Sequence, residues 1–297
     1  MTHRSYDNGG GNSHLVNMNR PLLRAFRAVV AYDGTAFSGS QLQPDDRTVL
    51  GEINKALEKV LAHPVRAKAA SRTDASVHAV GQVIGFRTGS NRTASEIKRA
   101  LNGLLPGDVR ITDCREVDFD FHPRWSALGK IYIYKIFRGP ELPPVLRNYV
   151  AFVADEKRFD SDVFENEIRQ FCGEHDFRSF SPRLMPGEKP VKKVQLAGVK
   201  CDPPLYEAGF LGSGFLYQMV RRMVGLAMSA AMGREKPGCV LRRLENPELG
   251  SVKYNAAPQG LYLEKVFYSE REIEEAIRAW SVEGARLINK KGINGRF

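Results

Sequence analysis

One short polar stretch, Ser71-Arg72-Thr73-Asp74-Ala75-Ser76-Val77-His78-Ala79, places an acid, a cation and an imidazole together between two apolar runs. A carboxylate held there by rigid flanking strands, with Arg72 two residues away, stays ionised even where water is scarce. Such a group can act as a nucleophile or can stabilise positive charge on a reacting sugar. The same Arg-Thr-Asp is also ordinary turn chemistry, with Asp or Thr bonding the local backbone and Arg in solvent. His78 offers a second base, but a ring that orders the loop through a backbone hydrogen bond or lies in the core explains it better.

The elements that must hold this loop follow from pattern. Val65 to Ala70 and Val80 to Phe86 read as strands on either side of it. Arg24 to Tyr32 is a strand, and Thr48 to Leu61 is an amphipathic helix with Ile53, Ala56, Leu57, Val60 and Leu61 on one face. Thr93 with Glu96 marks the start of a second helix whose stripe is Ile97, Ala100, Leu101, Leu104 and Leu105, and Val109 to Val117 is a strand. The order β-α-β-β-α-β is that of a ferredoxin-like unit. The second half repeats it: a strand at Lys130 to Arg138, a helix bearing Val163, Phe164, Ile168, Phe171 and Cys172, and strands at 191–202 and 205–212. An apolar helix from Phe215 to about Met232, a strand at Leu261 to Tyr268 and a helix near Glu270 to Trp280 complete it. The expected fold is α+β: two tandem βαββαβ units with a central mixed or antiparallel sheet. The boundaries are a disordered tail at 1–20, an N-terminal domain at 22–117 carrying the Asp loop, a C-terminal domain at 118–270, and a helix and basic tail at 271–297.

Composition narrows the partners. The 297 residues suffice for about two domains. Lys and Arg number 44 against 34 Asp and Glu, a net charge of +10 that favours a polyanion, although it also serves solubility. Apolar windows such as Leu226 to Gly233 fall far short of the roughly 20 residues that span a bilayer, so no membrane partner is expected. Residues 1–20 lack the apolar core of a secretory signal. Cys114, Cys172, Cys201 and Cys239 stand singly, which suggests neither a disulfide framework nor a zinc site and fits a reducing cytoplasm. The scattered histidines, His175-Asp176 included, do not make a metal site. An open sheet with a basic surplus is a common platform for RNA.

Several blocks then resemble, in order, the tRNA pseudouridine synthase A family: Tyr32-Asp33-Gly34-Thr35-Ala36-Phe37-Ser38-Gly39 with Gln41 and Gln43, and Arg72-Thr73-Asp74 with Val77-His78-Ala79 and Gly81-Gln82-Val83. Further on come Phe121 with Arg124, Ser126-Ala127, Lys130-Ile131-Tyr132-Ile133-Tyr134, His175-Asp176-Phe177 with Phe180, and Phe215-Leu216-Tyr217 with Met219-Val220-Arg221 and Val224-Gly225. Ala257-Pro258, Gly260-Leu261 and Leu263 close the series, so the resemblance spans roughly 24–268. It implies the pseudouridine synthase fold and isomerisation of uridine in tRNA, at positions 38, 39 or 40 of the anticodon stem-loop, by a cytoplasmic homodimer. It implies Asp74 as the essential acid, Arg221 as its ion-pair partner, Tyr132 stacked on the target uracil and Arg72 at the flipped nucleotide. Lys130, Arg124 and His78 stand in the same blocks and complete the candidate RNA-binding set. No cofactor, metal or DNA partner is expected, because the reaction involves no redox step or external nucleophile. From the residues alone, Tyr132 is at least as readily a core aromatic and Arg221 more commonly a snorkelling surface cation, although its apolar neighbours make an unpaired guanidinium costly.

The chain departs from the family pattern at Ser71 and Ser76, where glycines are usual, at Ser40, where tryptophan is common, and at Gln218 and Arg222. Ser76 limits positive-φ conformations just after Asp74. A non-catalytic RNA-binding or tRNA-folding module on the same platform is the rival function.

Overall fold

The computed structural model describes residues 23–154 and 158–293, with side chains of the last helix described to residue 281. The first unit comprises β1 (Arg24–Tyr32), α1 (Val49–Leu61), β2 (Lys68–Ala69), β3 (His78–Thr88), α2 (Ala94–Leu104) and β4 (Val109–Val117). The second comprises β5 (Gly129–Gly139), β6 (Ala151–Ala154), α3 (Ser161–Arg169), β7 (Gly173–Asp176), β8 (Val191–Asp202), β9 (Leu205–Gly212), α4 (Met219–Ala231), α5 (Cys239–Glu245) and β10 (Leu261–Phe267), followed by α6 (Glu270–Ile293). The expected tail at 1–20 lies outside the described residues, as do the side chains of Arg286, Lys290, Lys291 and Arg296.

Strands run β4-β1-β3-β10-β5-β9-β8-β7 in one sheet, with β2 also on β3 and β6 on β5. Within the first unit β4, β1, β3 and β2 are antiparallel neighbours, and within the second so are β10, β5, β9 and β8. Both units therefore carry the ferredoxin strand order, and they fuse where β10 pairs in parallel with β3 at Tyr262↔His78 and Leu263↔Ala79. The fusion is possible because β2 is stunted. It covers β3 only at Ile84 and Gly85, leaving the His78 end of that edge open. At this junction a Cβ on Gly81 would stand 2.3 Å from the Glu264 carbonyl oxygen, so the close approach of the strands requires glycine.

Local chemistry explains the elements. Thr48 caps α1 by accepting from the Gly51 N–H, and Thr93 and Glu96 form the capping box of α2. Several expectations shift, β3 extending beyond the expected Val80 to Phe86 at both ends and α6 past Trp280. The strand expected at Val65 to Ala70 shrinks to Lys68–Ala69 because the Ala67 N–H goes to the Asn54 side chain of α1, not to a strand ladder. On α2, Leu104 is 51% exposed and Ala100 half-buried; Leu105, with extended backbone, takes the last core position instead. Phe171 and Cys172 lie beyond α3, the former buried and the latter exposed. The apolar helix starts at Met219 rather than Phe215, because Gln218 at its N-cap sits at φ +58°. One extensive core runs beneath both units, including Phe26, Leu57, Ile97, Tyr134, Phe171 and Phe210. A smaller cluster of Ile131, Ile133, Leu211 and Ile273 lies under α6.

Candidate active site

The loop at 70–77 connects β2 to β3 beside the junction of the units. Its first brace comes from its own unit. Gly39, at φ +100°, lies so close that a Cβ would approach the Thr73 carbonyl oxygen to 2.8 Å. Ser40 accepts from the Thr73 N–H at 2.9 Å through Oγ and donates its own N–H to the Thr73 carbonyl at 3.1 Å. Tyr32 and Thr73 hydroxyls meet at 2.7 Å. The Gln82 amide accepts from the Ser71 N–H at 3.1 Å and donates to the Ser71 carbonyl at 2.9 Å. Ser76 adopts φ +62°, so the loop keeps a left-handed residue there although the side chain carries a Cβ.

The second brace comes from the other unit, and it places three candidate side chains on the loop. The Lys130 ammonium donates to the Ala70 carbonyl at 2.8 Å. The Tyr132 hydroxyl meets Ser71 Oγ at 2.6 Å, and Arg221 Nη1 donates to Asp74 Oδ2 at 2.7 Å. The arginine is therefore paired, not snorkelling, with 11% of its side chain exposed against 22% for Asp74. The contact uses one nitrogen rather than a two-pronged fork, and Nε donates separately to the Ala256 carbonyl at 2.8 Å. Among the described residues no hydrogen bond reaches Asp74 Oδ1, which leaves one carboxylate oxygen open.

Tyr132 belongs to the core and is 5% exposed, its edge against Phe215 with ring centroids 5.1 Å apart. Burial raises its pKa above the ordinary phenol range and keeps it protonated. Burial, with Arg124 and Lys192 nearby, pulls the Lys130 pKa down to about 8. Arg124 is exposed and lies 4.9 Å from the Trp125 ring, which is 72% exposed. Arg72 is exposed, and among the described residues no hydrogen bond or ion pair reaches it.

His78 is buried and structural in its contacts. Nδ1 accepts from the Gly34 N–H at 3.0 Å, Nε2 meets the Asn148 carbonyl at 2.9 Å, and the ring stacks on Tyr262 at 4.7 Å. Asp33 Oδ1 lies 3.3 Å from Nδ1, but a nitrogen that accepts from Gly34 carries no proton to share, and burial lowers the ring's pKa. Its environment is that of a neutral imidazole ordering the loop's far end.

Gln82, Ser71, Ser40 and the Ala256 carbonyl escaped assignment as site residues from sequence. Gln82 stood inside a recognised block and the serines at recognised departures, so their positions carried a signal; a backbone carbonyl carries none.

The sequence profile of the tRNA pseudouridine synthase family matches residues 28–126 and 168–269. A tRNA pseudouridine synthase A of Geobacillus kaustophilus (strain HTA426) is 37% identical over 250 residues, covering 84% of this chain and 96% of the relative. The one from Lacticaseibacillus casei (strain BL23) is 37% identical, covering 82% and 99%. That from Aquifex aeolicus (strain VF5) is 35% identical, covering 80% and 96%. The matched segments contain the Asp74 loop, Arg221 and both strands of the junction, and the chain belongs to the tRNA pseudouridine synthase family.

Proposed function

We propose that this chain isomerises uridine to pseudouridine in tRNA with Asp74 as the essential carboxylate. The observation that carries this is the partly buried Asp74, anchored through Oδ2 by Arg221 with Oδ1 open at the junction of two units. The reaction breaks the N1–C1′ bond, turns the uracil and forms C5–C1′; the C5 proton is lost and N1 gains one, so the atoms balance without a co-reactant. Breaking a glycosidic bond builds positive charge on the sugar, and an ionised carboxylate stabilises or captures it. A stacked uridine must leave its helix to reach such a loop, at a few kcal/mol of unstacking. Arg72, exposed beside the acid, fills the gap, and Tyr132, 5% exposed at the edge of the core, is the uracil's aromatic partner by the family resemblance. Arg124, exposed, takes a backbone phosphate, while Lys130 serves the RNA site by holding the Ala70 carbonyl of the loop. The family resemblance supports positions 38, 39 and 40 as targets and a cytoplasmic homodimer as the working form. Among the described residues no helix is long and apolar enough to cross a membrane.

The test is Asp74→Asn, which preserves shape and removes the charge. Mapping of pseudouridine in tRNA treated with wild type and variant should show modification at the anticodon stem-loop with wild type only, while tRNA affinity stays within about threefold. Turnover by the variant refutes the role of Asp74. A wild type that binds tRNA without modifying it supports the RNA-binding module instead.

A further inference from the structure

The phenol of Tyr132 and the acid loop touch at one hydroxyl pair. Ser71 Oγ lies 2.6 Å from the Tyr132 hydroxyl, and among the described residues this is the only hydrogen bond that hydroxyl makes. Ser71 is itself immobilised. Gln82, 1% exposed on β3, clamps both its N–H and its carbonyl with one side-chain amide. The same amide reaches the Tyr32 hydroxyl at 3.5 Å, and Tyr32 meets Thr73 Oγ1 at 2.7 Å, one residue from Asp74. A continuous polar chain thus runs Tyr132–Ser71–Gln82–Tyr32–Thr73, from a strand of the second unit to the residue before the acid of the first. Phe215 bears on the ring's edge but gives no polar anchor.

We infer that Ser71 is a positioning residue: its hydroxyl fixes the Tyr132 ring relative to Asp74 and so sets where a flipped uracil sits between them. This rests on the function proposed above. Packing holds the ring in the core, and the Ser71 contact is the polar anchor that fixes its orientation. A displacement of about 1 Å at a reacting pair is enough to cost up to about 100-fold in rate. Affinity for tRNA, spread over many contacts, does not depend on that hydroxyl.

Single-turnover rates of pseudouridine formation, measured with tRNA dissociation constants, test this. Ser71→Ala should slow the chemical step about 10-fold with affinity within about twofold. Tyr132→Phe removes the other half of the contact and should give the same loss. The double variant should also be about 10-fold slow, not about 100-fold, because the two hydroxyls act as one unit. Ser71→Thr, which keeps the hydroxyl, should recover to within about threefold of wild type. A wild-type rate in Ser71→Ala, additive losses in the double variant, or an affinity loss equal to the rate loss each overturns the inference. Tyr132→Phe carries the same prediction through the partner side chain, so a folding defect in Ser71→Ala leaves the test decisive. No turnover in wild type removes the proposed function and this inference together; normal wild-type turnover with an unaffected Ser71→Ala removes only the positioning role.

Discussion

The two units share a strand order but differ in one hairpin. In the second unit β8 (Val191–Asp202) and β9 (Leu205–Gly212) pair along their lengths and are joined by Pro203 and Pro204 alone. In the first unit the equivalent pair is β2, two residues long, and β3, joined by the loop at 70–77. The lost hairpin pairing has two consequences. It opens the edge of β3 to β10, and it releases a segment whose backbone is bonded by side chains and by the neighbouring loop at Phe37 and Ser40 instead of by a ladder. The site arises where one copy of a common topology is incomplete, and the complete copy supplies Lys130, Tyr132 and Arg221 to hold what was released.

That contrast can be broken by degrees. After Asp74→Asn, the largest loss falls on Arg221→Lys, which keeps the charge but cannot reach Asp74 Oδ2 and the Ala256 carbonyl together; pseudouridine formation should fall about 100-fold, about 2.7 kcal/mol, in single-turnover assays with the fold retained. Gly81→Ala attacks the junction itself. With the Glu264 carbonyl in the way, it should destabilise the protein by about 2 to 3 kcal/mol in urea unfolding. Ser76→Gly relaxes the left-handed residue of the loop and should stabilise the protein by about 1 kcal/mol, read as a raised melting temperature. The equivalent change in the β8–β9 hairpin, where no such residue sits, should not stabilise.

The smallest effect concerns His78, at the end of β3 that the stunted hairpin exposes to β10. Its folded pKa lies below the unfolded value of about 6.5, so between the two the unfolded chain binds more protons and stability rises with pH. Stability should therefore fall as pH drops below about 6.5, and His78→Gln should flatten that segment of a stability-versus-pH curve.

Much of this architecture was legible in the chain. The limits of β1, β4, β8 and β9 coincide with those read from hydrophobic pattern, because those strands are bounded by turn residues and paired along their lengths. The misread elements are those where a distant group overrides a local pattern. Asn54 takes the backbone of the segment before β2, and a left-handed Gln218 delays α4 so that Phe215 meets Tyr132 instead of joining the helix. The candidate site was legible in its residues, and the resemblance gave the Asp74–Arg221 pair, but the loop's other contacts were not legible. Ser71 and Ser40 appeared only as departures from a pattern, yet the Ser40 hydroxyl accepts from Thr73 in the loop and the Ser71 hydroxyl ties the loop to Tyr132.

The amino-acid sequence alone determined the βαββαβ order of the two units, though not β6, β7 and α5, and with it the caps of α1 and α2 and the basic balance, since each depends on groups close together along the chain or on composition. Only the tertiary structure decided that Asp74 meets Arg221 across 147 positions, by one nitrogen and not two, and that Tyr132 rests on Ser71. Those contacts exist because β10 joins β3, and such a junction is set by which strand edge is left unpaired once the sheet has formed.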